Sequence, residues 1–207
     1  MIISSKITDE KWIWVKIPKT GTRAYSQLFY PDKESQLHFH HTFHELYIQN
    51  QKKYSGFTVV RHPASRFVSA LKHLADINHL GSLPCDSIKN LVNFLYDNFY
   101  ENCLPKHNKT LQSIFGLDYI NYHESFFKTQ VHWAYHPKVV WFKYENLTTF
   151  NVWLKTRLGI DSVGIKRVGE VKSSELQHLN FHDPEFVKVM QYLFLDDYTV
   201  YGYSTDT

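Results

Sequence analysis

Hydrophobic positions along the chain fall into short blocks with two different spacings. Lys11 to Ile17 (Lys-Trp-Ile-Trp-Val-Lys-Ile) is rich in β-branched and aromatic residues and is bounded by Pro18, which predicts a strand. Gly56 to Val60 (Gly-Phe-Thr-Val-Val) predicts a buried strand, and Lys138 to Lys143 predicts a third. The other blocks follow helical spacing. Thr22 to Tyr30 predicts a helix that stops before Pro31, and Thr42 to Lys53 carries Phe43, Leu46 and Tyr47 on one stripe. Ala64 to Leu80 aligns Phe67, Val68, Leu71 and Leu74 in the same way. Ile88 to Tyr100, Asn151 to Leu158 with Gly159 at its end, and Phe186 to Phe194 after Pro184 complete the helices. Strands that alternate with helices predict a three-layer α/β/α arrangement around a central parallel sheet, with residues 1–207 as one domain. Ligands of such sheets sit beyond the carboxyl ends of the strands. The two most unusual loops of this chain fall there.

Composition narrows the classes. Hydrophobic residues make up 43% and aromatics 16% of 207 residues, at a net charge of only +3, which argues against disorder. Eight Gly and 7 Pro exclude a collagen-like or linker chain, and 2 Cys exclude a disulfide scaffold. Lys and Arg come in short pairs such as Lys52-Lys53 and Lys166-Arg167, so no nucleic-acid partner is expected. No stretch approaches the ~20 apolar residues of a membrane span. The N-terminus, with Asp9 and Glu10, lacks the pattern of a signal peptide, so the expected compartment is the cytoplasm. Cys85 and Cys103 are expected to be reduced, although their positions alone do not exclude a disulfide, and their spacing is wrong for a paired zinc motif. The 13 His invite a metal or acid–base role.

The first loop is Lys16-Ile17-Pro18-Lys19-Thr20-Gly21-Thr22-Arg23, between the first strand and the first helix. Gly21 allows a close backbone turn. Thr20 and Thr22 offer hydroxyls, Lys19 offers a mobile cation, and the new helix offers its first N–H groups. Such a set suits a phosphate or sulfate. An ordinary strand-to-helix turn with an exposed Lys would read the same way. The nucleotide-kinase loop requires Gly-x-x-x-x-Gly-Lys-Ser/Thr, and here Lys19 precedes Gly21. The second loop is Arg61-His62-Pro63-Ala64-Ser65-Arg66-Phe67-Val68-Ser69. Arg61 at a strand end can fork onto a phosphate, with Ser69 on the following helix. Arg66 has a structural alternative, pairing with a carboxylate or a helix C-terminus.

Together these loops resemble those of the sulfotransferases that use 3′-phosphoadenosine 5′-phosphosulfate (PAPS). The closest resemblance is to the carbohydrate enzymes, including the heparan sulfate 2-O type and its bacterial and phage relatives. The family carries a Pro-Lys-Thr-Gly-Thr-like loop for the phosphosulfate, matched by Pro18 to Thr22. Its Arg-x-Pro-x-x-Arg-x-x-Ser segment for the 3′-phosphate is matched by Arg61 to Ser69. Phe142 to Leu147 and Asp196 to Tyr203 are similar to two further family segments, whereas Ser82 to Ser125 matches poorly. Arg23 stands where many relatives carry a small hydroxyl residue.

The resemblance implies a P-loop-like fold and a donor site made of Lys16, Pro18, Lys19, Thr20, Gly21, Thr22, Arg23, Arg61 and Ser69. Arg167, Lys172 and Ser173 would join it from a loop that folds over the nucleotide, for which a solvated loop is the bland alternative.

Sulfuryl transfer needs a cation at the leaving oxygen and a base for the acceptor proton. Lys19 is placed for the first role. For the second, the family has a His just before its second helix, which matches His41, with Thr42 as a helix cap. The crowded His38, His40, His41 and His44 also allow a metal site, but no His-Glu-x-x-His is present and no metal is expected. His132 and Trp133, or Gln112 with Ser113, are candidates for the acceptor cleft. The acceptor implied by the resemblance is a carbohydrate hydroxyl. The rival readings are a small kinase using Mg-ATP and a non-catalytic nucleotide-binding module.

Overall fold

A computed structural model describes residues 1–29, 40–107, 112, 114, 125–162 and 176–204. The chain divides into two compact units, Met1–Arg61 with Gln130–Glu170, and His62–Thr129 with Val171–Thr207.

The first unit is built on a four-stranded sheet of β1 (Ile2–Ser4), β2 (Lys11–Trp14), β3 (Ser55–Val60) and β4 (Val139–Lys143), in that spatial order. β2, β3 and β4 run parallel, and Val59 pairs with Phe142 in the register of the last two. β1 corrects the expectation of a wholly parallel sheet, because it pairs antiparallel with β2. Its three residues are too few to show a period. The turn that returns them is fixed by the Ser5 hydroxyl, which accepts from the N–H groups of Ile7 at 3.2 Å and Thr8 at 3.1 Å.

Alternation along the strands sorts the two faces. Trp12, Trp14, Phe57, Val59 and Phe142 share one face with Tyr25 of α1 (Thr22–Phe29), with Phe150 of α6 (Leu147–Trp153), and with Leu154 and Leu158 of a π-helical turn (Leu154–Leu158). The predicted helix from Asn151 thus starts earlier and changes its winding, and it does end on left-handed Gly159. The opposite face receives α2 (Phe43–Gln49). Gly56 permits this approach, since a Cβ there would stand 2.5 Å from Phe43 Cε2. Thr42 caps α2 through a reciprocal pair: Glu45 N–H donates to its hydroxyl at 3.2 Å, and its own N–H donates to Glu45 Oε2 at 2.7 Å. α2 ends before Lys53, because Gln51 and Lys52 take up left-handed backbone. α5 (Gln130–Ala134) precedes β4 and was not foreseen.

The second unit is helical. It holds α3 (Pro63–Asp76), α4 (Ile88–Asn98), α7 (Pro184–Leu193) and α8 (Leu195–Tyr201). Pro63 and Pro184 sit in the first turns, where a missing N–H costs nothing, and Asp183 caps α7. Phe67, Leu71, Leu74, Leu91, Leu95, Phe186, Val189 and Phe194 form the core. Cys85 and Cys103 are both free thiols. Burial raises the pKa of Cys85 to about 11 and that of Cys103 well above the ordinary thiol value, which makes both poor nucleophiles. Among the described residues no helix is long and apolar enough to cross a membrane.

Candidate anion site at the strand ends of the first unit

β2 leaves the sheet after Val15, whose N–H still donates to the Phe57 carbonyl at 3.0 Å. The chain then turns through Lys16–Thr22 into α1. Thr20 is wholly buried and its hydroxyl donates to the Ile17 carbonyl at 3.0 Å, which closes the turn from inside. Thr20 is therefore a structural pin whose hydroxyl is already engaged. Lys19 holds a left-handed backbone (φ 66°), a costly state for a residue with a Cβ, and Gly21 follows at φ 81°. A Cβ at Gly21 would also stand 2.9 Å from Tyr144 Cε2, so glycine is required there by both conformation and space. Thr22 opens α1, Arg23 is exposed on its first turn, and Pro18 is buried beneath the loop. Lys16 is buried against Trp14, with Nζ 5.9 Å from the ring centroid. Desolvation lowers its pKa below the usual lysine value.

Arg61 follows the last residue of β3, the neighbouring parallel strand. Its guanidinium donates to the Lys19 carbonyl at 3.3 Å and lies 4.8 Å from the centroid of Tyr144. Tyr144 thereby touches both loops. Sequence reasoning assigned it no role, although it lies in one of the family-like segments. Gln130 was missed altogether. It is wholly buried, its Oε1 accepts from Arg61 N–H at 2.8 Å, and its Nε2 donates to the Arg61 carbonyl at 2.8 Å. No local pattern marks a glutamine 69 positions away as a strand-end partner.

The histidines divide unexpectedly. His41, the expected base, is exposed at the start of α2, with Nδ1 3.8 Å from Glu45 Oε2. His40 is held against the loop, with Nδ1 2.7 Å from the Lys16 carbonyl. A carbonyl can only accept, so Nδ1 carries the proton and Nε2 is the basic nitrogen of the neutral ring. Its ring also meets Trp133 edge-on at 5.9 Å. Trp133 is buried, and His132 is exposed on the same short helix. His132 lies close enough to Glu45 to help His41 and the Thr42 hydrogen bonds hold that carboxyl below the usual glutamate range; the Thr42 N–H bond is the largest influence. Among the described residues no three His, Cys, Asp or Glu converge in a way that could hold a metal.

Ser69 is half-buried on α3 of the second unit, and Gln112, also of that unit, is half-buried and helical. Arg66 resolves to its structural alternative: it is wholly buried and donates to the Lys128 carbonyl at 2.6 Å. Arg167, Lys172, Ser173, Ser113 and His38 lie outside the described residues. Compared with known proteins, the chain matches no family model, no curated protein and no solved structure.

Proposed function

We propose that this chain is a PAPS-dependent sulfotransferase acting on an acceptor hydroxyl, with a carbohydrate as the acceptor class that its motifs resemble. The observation that carries the reading is the contact between the first motif loop and Arg61, the opening residue of the second motif, at adjacent parallel strand ends. There Arg61 donates to the Lys19 carbonyl and shares Tyr144 with Gly21. Lys19 and Arg61, joined through that bond, and the start of an eight-residue helix are the groups this reading assigns to the anionic end of the nucleotide.

In the reaction, the acceptor oxygen forms its bond to sulfur while the bond from sulfur to the bridging oxygen of the 5′-phosphate breaks. The acceptor proton passes to a base, and negative charge gathers on the bridging oxygen of the departing 3′,5′-ADP. Lys19 meets that charge, as a preorganised cation does in phosphoryl transfer. His40 takes the proton on Nε2, since the Lys16 carbonyl fixes its tautomer beside the loop. The sequence pattern favours His41 for the same role, and the two are separated by substitution. In this reading His40→Ala lowers turnover by about 10²–10⁴-fold with 3′,5′-ADP binding retained, and His41→Ala leaves turnover within a few fold. The reverse result returns the role to His41.

Calorimetry tests the whole reading. Metal-independent binding of 3′,5′-ADP is expected. A preference for Mg-ATP would make the chain a kinase, and binding of neither nucleotide would remove the proposal. Donor binding without transfer to any of a panel of glycans would favour a non-catalytic module.

A further inference from the structure

Sheet ladders normally end where the next strand ends, and Val60 pairs with Lys143 as the last register pair of β3 and β4. Arg61 lies one residue beyond it. Its backbone nonetheless has both groups satisfied, by one side chain. The Gln130 amide offers an acceptor to Arg61 N–H and a donor to Arg61 C=O, each at 2.8 Å, which is the pattern a neighbouring strand would present. A primary amide is the side-chain group that supplies both at once in a plane. Because Gln130 is wholly buried, its amide cannot turn away without leaving its own polar atoms unsatisfied.

The consequence reaches the loop. With its backbone clamped, the Arg61 guanidinium projects to the Lys19 carbonyl and the face of Tyr144. Lys19 needs such support, since its left-handed backbone is unfavourable by itself. Tyr144 in turn closes over Gly21. We infer that Gln130 is a positioning residue, holding Arg61 and through it the Lys19–Gly21 loop in the shape that receives the anion. Gln130 reaches the ligand only through Arg61 in this scheme. The inference rests on the proposed anion site for its purpose, but the mechanical coupling is a property of the protein without ligand.

The experiment therefore has two arms. Hydrogen exchange on the ligand-free protein compares wild type with Gln130→Met, which keeps the volume and removes both hydrogen bonds. Exchange at Arg61 and at Lys19 to Thr22 is expected to quicken at least tenfold, while the core of β3 stays protected. Unchanged exchange at Lys19 to Thr22 overturns the inference, whatever the protein binds. The second arm measures 3′,5′-ADP affinity in a double-mutant cycle of Gln130→Met with Arg61→Ala. Gln130→Met alone is expected to weaken binding about tenfold. In the Arg61→Ala background its further effect should vanish, which a merely structural role would not produce. Equal weakening in both backgrounds overturns the inference. If wild type binds no 3′,5′-ADP, the functional reading fails and the exchange arm still decides the coupling. If Gln130→Met fails to fold, Gln130→Glu replaces it, keeping the acceptor for Arg61 N–H and removing the donor for the carbonyl.

Discussion

Arg61 and Arg66 are separated by four residues, and the two units use them in opposite ways. Arg61 is half-buried, lies on the face of Tyr144, and donates to a loop carbonyl at 3.3 Å, a long bond for a charged donor. Its remaining N–H groups are compatible with an incoming anion. Arg66 is wholly buried. It donates to the Lys128 carbonyl at 2.6 Å and its guanidinium lies 5.3 Å from the Phe194 centroid; Cys103 and Tyr201 are pushed up chiefly by burial, with buried Asp197 adding to the rise and Arg66 opposing it. A guanidinium taken fully out of water is committed to its protein partners, because releasing it would strand a charge. Two arginines of one sequence motif thus meet different surroundings: burial leaves Arg61 partly open to solvent and encloses Arg66 among protein partners.

The largest effect is expected at Arg66. Arg66→Met removes a buried cation while Asp197 stays buried, and should cost about 3–5 kcal/mol in a urea melt. A loss under about 1 kcal/mol would mean that the second unit does not depend on this charge. Next comes Arg61→Ala, which should weaken 3′,5′-ADP binding by roughly ten- to hundredfold, or about 1.5–3 kcal/mol, with a much smaller change in the melt. A stability loss as large as that of Arg66→Met would show that both arginines are structural.

The smallest effect belongs to the cap beside the histidines. Thr42→Ala should destabilise the protein by about 1 kcal/mol. The Thr42 and Glu45 pairing also carries a pH signature. Glu45 has its pKa lowered chiefly by the Thr42 N–H, so its folded value lies below its unfolded one. Its contribution is thus present above the ordinary glutamate range and is lost as pH falls through the folded value. Glu45→Gln should narrow the gap to wild type under acidic conditions. The gap is small at any pH because this carboxyl is largely exposed.

Much of the fold was legible from local pattern. β3 and β4 were placed within a residue of their observed ends, and α3 was placed within one residue at its start. The Thr42 cap and the Gly159 stop were also read directly. The site was legible only as two loops. The bond of His40 to the Lys16 carbonyl escaped the pattern, since its partner lies 24 positions away in the chain. β1 escaped because three residues have no period, and Tyr144 because its neighbours Gly21 and Arg61 are distant in the chain.

Local pattern placed β3, β4 and most of the helices, with the Thr42 cap and the Gly159 stop, and marked two loops as candidates for an anion. These depend on steric and hydrogen-bonding preferences that act within a turn or two. Contacts across the fold set the rest: the antiparallel edge, the partners of Arg61 and Arg66, the pairing of Gln130 with the Arg61 backbone, and the bond of His40 to Lys16. Each is set by burial and by polar groups that must find a partner across the fold. The chain order alone does not say which partner will be there.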